Sequence, residues 1–165
     1  MAFDDPATRD DFGYHDPGLG TLRDDWNIEA WCGRLDYDGD HCDLTLYETE
    51  ADGFPDADPR PSGLGRLRDV QARMTTHFLP RAIEAVIAAR TARLNWRDGP
   101  PADRWGPVEV AVETDNSLWL SVYEGETDEY SLWIVAFDDS DLPREVRRTS
   151  YVAAQTRLSQ AGRMV

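Results

Sequence analysis

The hydrophobic pattern changes period three times along the chain. From Trp26 the stretch "WNIEAWCGRLDY" alternates apolar and polar positions, and "CDLTLYE" does so again after a short polar interval. Alternation with period two marks half-buried strands, and Asp38-Gly39 between them is a preferred central pair of a type I′ turn. With that turn, Tyr37 opposes Asp40, and Trp31, Gly33, Leu35 and Tyr37 share a face with Cys42, Leu44 and Leu46. Cys32, Arg34, Asp36, His41, Asp43 and Thr45 take the other face, so the two cysteines point apart. "TEADGFPDADPRPSG" then breaks any regular pattern with three prolines and two glycines. From Leu64 to Trp96 the period becomes helical: Leu67, Val70, Met74 and Phe78 fall on one stripe, continued by Ile83, Val86, Ile87, Arg90 and Leu94. Pro80 lacks an N–H and clashes with the preceding turn, which predicts a kinked or split helix.

Three further alternating segments, "VEVAVET", "SLWLSVYE" and "YSLWIVAF", predict a three-stranded meander. A short loop over Asp115 to Ser117 aligns Val108, Val110 and Val112 with Leu118, Leu120 and Val122 on the face toward the helix. Glu109, Glu113, Trp119 and Tyr123 then lie on the opposite face, with Trp133, Val135 and Phe137 expected beside them. The last stretch, from Ser140 and Asp141 before Pro143 through Leu158, carries helix-start chemistry and good helix formers, which predicts a C-terminal helix. Residues 1–24 mix Asp, Gly and Pro without a period and are expected to be a flexible acidic arm. The expected class is α+β: a single domain over residues 25–165, with an antiparallel sheet (N-terminal hairpin plus three-stranded meander) packed on the kinked or split helix and on the C-terminal helix.

Composition sharpens the functional side. The 165 residues carry 32 acids against 17 basic side chains, every one of them arginine, for a net charge of −15. Residues 1–60 hold 17 acids and 4 Arg, and 109–142 hold 10 acids and no base. Residues 61–108 hold 4 acids and 8 Arg, and 143–165 hold 1 acid and 5 Arg. The acids are thus expected on the strands and the arginines on the helices. Such a field disfavours direct contact with nucleic acid or anionic membrane and speeds encounter with a basic partner. No run approaches a membrane span and the N-terminus lacks the basic-then-apolar order of a secretion signal, so the expected location is cytoplasmic.

Catalytic and metal chemistry find little support. Asp36, Asp38 and Asp40 occupy positions 1, 3 and 5 of a calcium-loop pattern, but position 6 is His41 and position 12 is Tyr47, where that motif needs Gly and Glu. His15, His41 and His77 show no ligand spacing, and no cofactor or metal is expected. Glu29 falls opposite Glu48 in the hairpin register, the one pairing that could seed a carboxylate dyad.

The order of elements, with "WCGRLDYDGDHCDLTLYE", a long helix and "LWLSVYEGETDEYSLWIVAF", resembles small acidic bacterial proteins of unknown function, some of them immunity proteins of polymorphic toxin systems. The likeness spans roughly residues 26–148 as an order of elements. It implies a non-catalytic protein that holds a basic toxin through an acidic surface. The candidate partner-binding residues are Glu109, Glu113, Trp119, Tyr123 and Trp133 on the sheet, with Asp36, Asp38 and Asp40 as a charged rim. The alternatives are a nucleic-acid mimic that inhibits a DNA-binding protein and a small hydrolase using paired carboxylates or His41. Oligomeric state is left open by the sequence.

Overall fold

A computed structural model describes residues 8–10, 13–92, 104–126 and 129–149 of the chain. Among these residues the strands are β1 (Thr8–Asp10), β2 (Gly13–Asp16), β3 (Gly20–Asp25), β4 (Ala30–Tyr37), β5 (Asp40–Tyr47), β6 (Trp105–Val112), β7 (Leu118–Glu126), β8 (Glu129–Phe137) and β9 (Pro143–Thr149). Between β5 and β6 run helices α1 (Pro61–Arg73) and α2 (Leu79–Ala92), joined by a π-helical turn over Met74–Phe78. The class is α+β, with a sheet larger than the sequence suggests: all nine strands form one sheet in the order of the chain. Each neighbouring pair is antiparallel except β5 and β6, which run parallel with the helical segment as their crossover.

The β4–β5 hairpin has the expected register, with Tyr37 opposite Asp40, Leu35 opposite Cys42 and Trp31 opposite Leu46. Asp38 and Gly39 both have positive φ, 45° and 82°, as a type I′ turn requires. Strands on both flanks of this aspartate-rich turn exclude the helix–loop–helix frame of a calcium loop. Trp31, Leu35, Leu44 and Leu46 are buried against the helices with Leu67, Val70, Met74 and Phe78, the predicted helical stripe.

The expected kink lies just before Pro80. The Leu79 N–H reaches back to the Met74 carbonyl, five residues away, and the widened turn absorbs the misfit that Pro80 would otherwise impose on a regular helix. The extra residue rotates the buried face, so α2 buries Ala82, Val86 and Arg90 while Ile83 and Ile87 stay half-buried. Leu94 and the stretch to Trp96 lie outside the described residues.

Four expectations are corrected. Residues 8–10 and 13–24, expected in a flexible arm, belong to β1, β2, β3 and the β2–β3 turn, and Tyr14, Leu19 and Leu22 enter the core. Asp16 makes the β2–β3 turn: its Oδ1 accepts the Gly18 and Leu19 N–H groups, each at 2.9 Å, and Arg68 pairs with its other oxygen. Residues 1–7 and 11–12 lie outside the described residues.

Second, the register of β8 places Trp133, Val135 and Phe137 opposite Val122, Leu120 and Leu118, on the helix face and fully buried. Trp133 is therefore removed from the candidate surface. Its indole Nε1 donates to Glu124 Oε2 at 3.2 Å, and Arg90 of α2 pairs with the other oxygen of that carboxylate. Third, a bulge between Pro107 and Glu109 shifts β6, so Val108 faces away from the helices while Val110 and Val112 face them. Fourth, Pro143–Thr149 is a strand paired with β8 where a C-terminal helix was expected to begin. Glu145, Arg147 and Thr149 alternate with the half-buried Val146, which fits an edge strand with one polar side. Residues 150–165, which carry the rest of that expected helix, lie outside the described residues.

Candidate binding face of the sheet

The helices cover one face of the sheet, and the candidate site lies on the other. The β6 bulge turns Val108 and Glu109 onto that face, and strand alternation adds Ala111 and Glu113. Trp119 and Ser121 of β7 stand beside them, and Ile134 of β8 extends the floor. Tyr47 of β5 and Arg147 and Thr149 of β9 close the two sides around a cavity of about 210 Å³.

Two carboxyl groups of this cavity are partly withdrawn from water. Burial pushes the Glu109 carboxyl up to about 7, the nearby Asp43 adds to the rise, and a hydrogen bond of 3.0 Å from Thr45 Oγ1 partly opposes it. Glu113 is also raised, by burial first and then by Asp115. Glu109 therefore changes charge near neutral pH, where an exposed carboxyl would already be ionised. Among the described residues no arginine lies within ion-pair distance of it. Arg147 turns elsewhere: its Nε donates to Glu145 at 2.6 Å and its guanidinium lies 5.4 Å from the Trp119 ring centroid.

The structure thus brings Glu109, Glu113 and Trp119 together as the sequence suggests, with Tyr123 half-buried further along the same strand. Tyr123 lies close over Gly106, where an added Cβ would sit 2.5 Å from its ring. Asp36, Asp38 and Asp40 are not part of this cavity. They line a separate open depression of about 400 Å³ at the β4–β5 turn with Arg34 and His41. There Asp36 pairs with Arg34 at 2.9 Å, Asp38 accepts from the Thr75 hydroxyl, and Asp40 accepts the His41 N–H at 2.8 Å. Thr45, Ser121, Ile134, Arg147 and Thr149 escaped the sequence reading. Thr45 was legible in principle from its alternation with Cys32 and Asp43. Arg147 and Thr149 were hidden by the helix expected there.

The catalytic seeds do not assemble. The Glu48 N–H bonds the Glu29 carbonyl at 2.8 Å, so the two residues are opposed, yet the Glu48 carboxylate is buried against Arg60 at 2.8 Å while Glu29 is exposed. Burial, reinforced by Asp25 and Glu109, pushes the Cys32 thiol up to about 11, and burial pushes Cys42 up to about 12. Both remain thiols at neutral pH and are poor nucleophiles. Among the described residues no helix is long and apolar enough to cross a membrane.

The charge map is less lopsided than the sequence implies, because arginines of the helices and of the residue preceding α1 neutralise buried and half-buried acids. Arg68 takes Asp16, Arg60 takes Glu48, Arg90 takes Glu124, and Arg66 with Arg73 takes Asp141. Burial raises the pKa of Asp141, but hydrogen bonds from Arg73 and Arg66 outweigh it and hold that carboxyl below its ordinary value. What stays uncompensated is at the surface: among the described residues no arginine lies within ion-pair distance of Asp24, Asp25, Glu29, Asp43, Glu50 or Asp52. Trp26 stands among the first three, 71 % exposed at the β3–β4 turn. Comparison with protein-family models, with characterised proteins and with solved structures finds no match to this chain.

Proposed function

We propose that the protein is a non-catalytic binding domain for a basic protein, in its most concrete form an immunity protein that neutralises a basic toxin. The observation that carries this reading is the allocation of charge. Arg60, Arg68 and Arg90 are drawn into pairs with buried carboxylates, whereas Asp24, Asp25 and Glu29, beside the exposed Trp26 at the β3–β4 turn, have no arginine within ion-pair distance among the described residues. Ionised groups in water give long-range attraction to a basic surface, while Trp26 supplies the apolar contact area typical of an interface anchor. Acidity kept only for solubility would not require a large indole in water at the centre of the acidic turn.

The test is calorimetric titration of the full chain with the product of the adjacent gene, at low and physiological salt. Salt-sensitive binding is expected, and Trp26→Ala is expected to weaken it by at least about thirtyfold, given that anchors cost about 2 kcal/mol or more when truncated. Replacing Asp36, Asp38 and Asp40 together by Asn removes three rim charges worth about 0.2–1 kcal/mol each, a loss of about three- to hundredfold. Absence of binding, or binding indifferent to both salt and Trp26, overturns the proposal.

A further inference from the structure

We infer that the cavity on the sheet face opposite the helices is a socket for one arginine side chain of the basic partner, with Glu109 as its counter-ion and Trp119 as its aromatic wall. The inference rests on the reading of the protein as a binder of basic proteins and names the chemistry at one contact point. Three features of the cavity select this occupant.

The first is charge. Glu109 faces the cavity with a hydroxyl donor from Thr45 and no arginine within ion-pair distance among the described residues. Glu113 lines the same space, and Asp43 stands beside Glu109 on the neighbouring strand. An anion is repelled by this set, and an apolar ligand leaves two carboxyl groups without a cationic partner. A cation restores to Glu109 the stabilisation that burial removed.

The second is shape. An apolar cavity of about 150 Å³ holds a benzene ring; at about 210 Å³ this one has room for a planar guanidinium and part of its alkyl stem. The third is the aromatic wall. Arg147 already lies 5.4 Å from the Trp119 ring centroid, which shows that this indole accepts a guanidinium neighbour. Arg147 itself is held by Glu145 at the side of the cavity and leaves Glu109 unpaired. Guanidinium stacks on aromatic rings and bonds carboxylates through two parallel N–H groups, which favours arginine over lysine here.

Proton uptake and release follow from the same geometry. The charged and titratable groups on the face of Glu109 are Cys32 from β4, Asp43 from β5, Glu113 from β6 itself and Arg147 from β9, while the Cys42 thiol of β5 lies on the helix side of the sheet. Both thiols stay protonated across the neutral range. Entry of a guanidinium therefore expels the proton of Glu109.

The experiment titrates the full chain with N-acetyl-arginine amide, and with the neutral isostere N-acetyl-citrulline amide, while NMR follows the Trp119 indole N–H. The arginine probe is expected to shift that signal and the citrulline probe to leave it. For a carboxyl titrating near 7, the ionised fraction rises from about 0.09 at pH 6 to about 0.91 at pH 8, so affinity is expected to rise about tenfold. Glu109→Gln is expected to lose this pH dependence, and Glu113→Gln to keep it. Equal response to both probes, or wild-type affinity that ignores pH, overturns the socket without need of any variant. A probe that fails while the adjacent-gene product still binds ends the socket and leaves the binding reading. Probe binding as expected, with no basic protein bound, keeps the socket and ends the reading.

Discussion

Arg60 is where a single substitution tests the construction of the fold most directly. Its backbone N–H donates to Glu48 Oε1 at 2.8 Å, and its Nη1 to Glu48 Oε2 at 2.8 Å and the Tyr47 carbonyl at 2.9 Å. Its Nη2 donates to the Glu113 carbonyl at 2.9 Å and Asn116 Oδ1 at 2.8 Å. One guanidinium thus ties the end of β5 and the start of α1 to the β6–β7 turn. The Glu48 side chain is only 2 % exposed, so Arg60→Ala leaves a carboxylate buried with no cation. Breaking a buried pair from one side costs about 3–5 kcal/mol, whereas an exposed pair is worth about 0–1. At about 2–4 °C per kcal/mol for a domain of this size, the expected fall in Tm is about 6–20 °C. The assay is urea and thermal unfolding followed by the fluorescence of the buried Trp31 and Trp133. Arg60→Lys is expected to recover little, since a single ammonium does not reproduce a fork spanning four acceptors. A loss below about 1 kcal/mol for Arg60→Ala would refute the reasoning, because it would mean that water reaches Glu48 as it reaches a surface ion pair.

Two further outcomes follow from named groups. Glu109 titrates near 7 in the folded chain and near 4.5 when unfolded, so between those values the native state binds more protons and stability falls as pH rises. At 1.36 kcal/mol per pKa unit the cumulative loss by pH 8 is at most about 3 kcal/mol. Glu109→Gln removes it, and unfolding curves at pH 5 and pH 8 should show the variant gaining on the wild type only at the higher pH. In α1, a Cβ on Gly63 would sit 2.5 Å from Leu46 Cδ1, while one on Gly65 meets nothing within 4 Å. Gly65→Ala is expected to stabilise by about 1 kcal/mol through helix propensity. Gly63→Ala carries the same gain but is expected to lose about 1–3 kcal/mol to overpacking against a fully buried leucine, and equal Tm shifts for the two variants would contradict the packing described.

The parts of the fold legible in the sequence are those whose signal is local. Asp38-Gly39 sets the β4–β5 register because the turn type fixes both strands at once, and the stripe from Leu67 to Phe78 sets the buried face of α1. The π turn before Pro80 then rotates that face, which a regular period does not anticipate. Strand β8 is apolar on both sides, with Leu132, Ile134 and Ala136 on one face and Trp133, Val135 and Phe137 on the other, so alternation alone does not choose between them. The N-terminal strands are masked by their charge, since Leu22 and Tyr14 are isolated apolar positions among aspartates and glycines. The candidate site was legible through the alternation of Glu109, Glu113 and Trp119. Its charge state was not, because the pairs that neutralise the buried acids join residues such as Asp16 and Arg68, far apart in the chain.

In a sheet ordered like the chain itself, each hairpin zips from its own turn, and only the parallel join of Asp43–Leu46 with Glu109–Val112 must wait for distant segments to meet. Closing that span costs about 4 kcal/mol of chain entropy in its length-dependent part, against far less for any two-residue turn. Folding should therefore proceed as two leaves that form early and a spine that closes late, with the helices as the hinge. Substitutions within a leaf should act mainly on how fast each half appears, while those along the spine should govern how long the book stays shut.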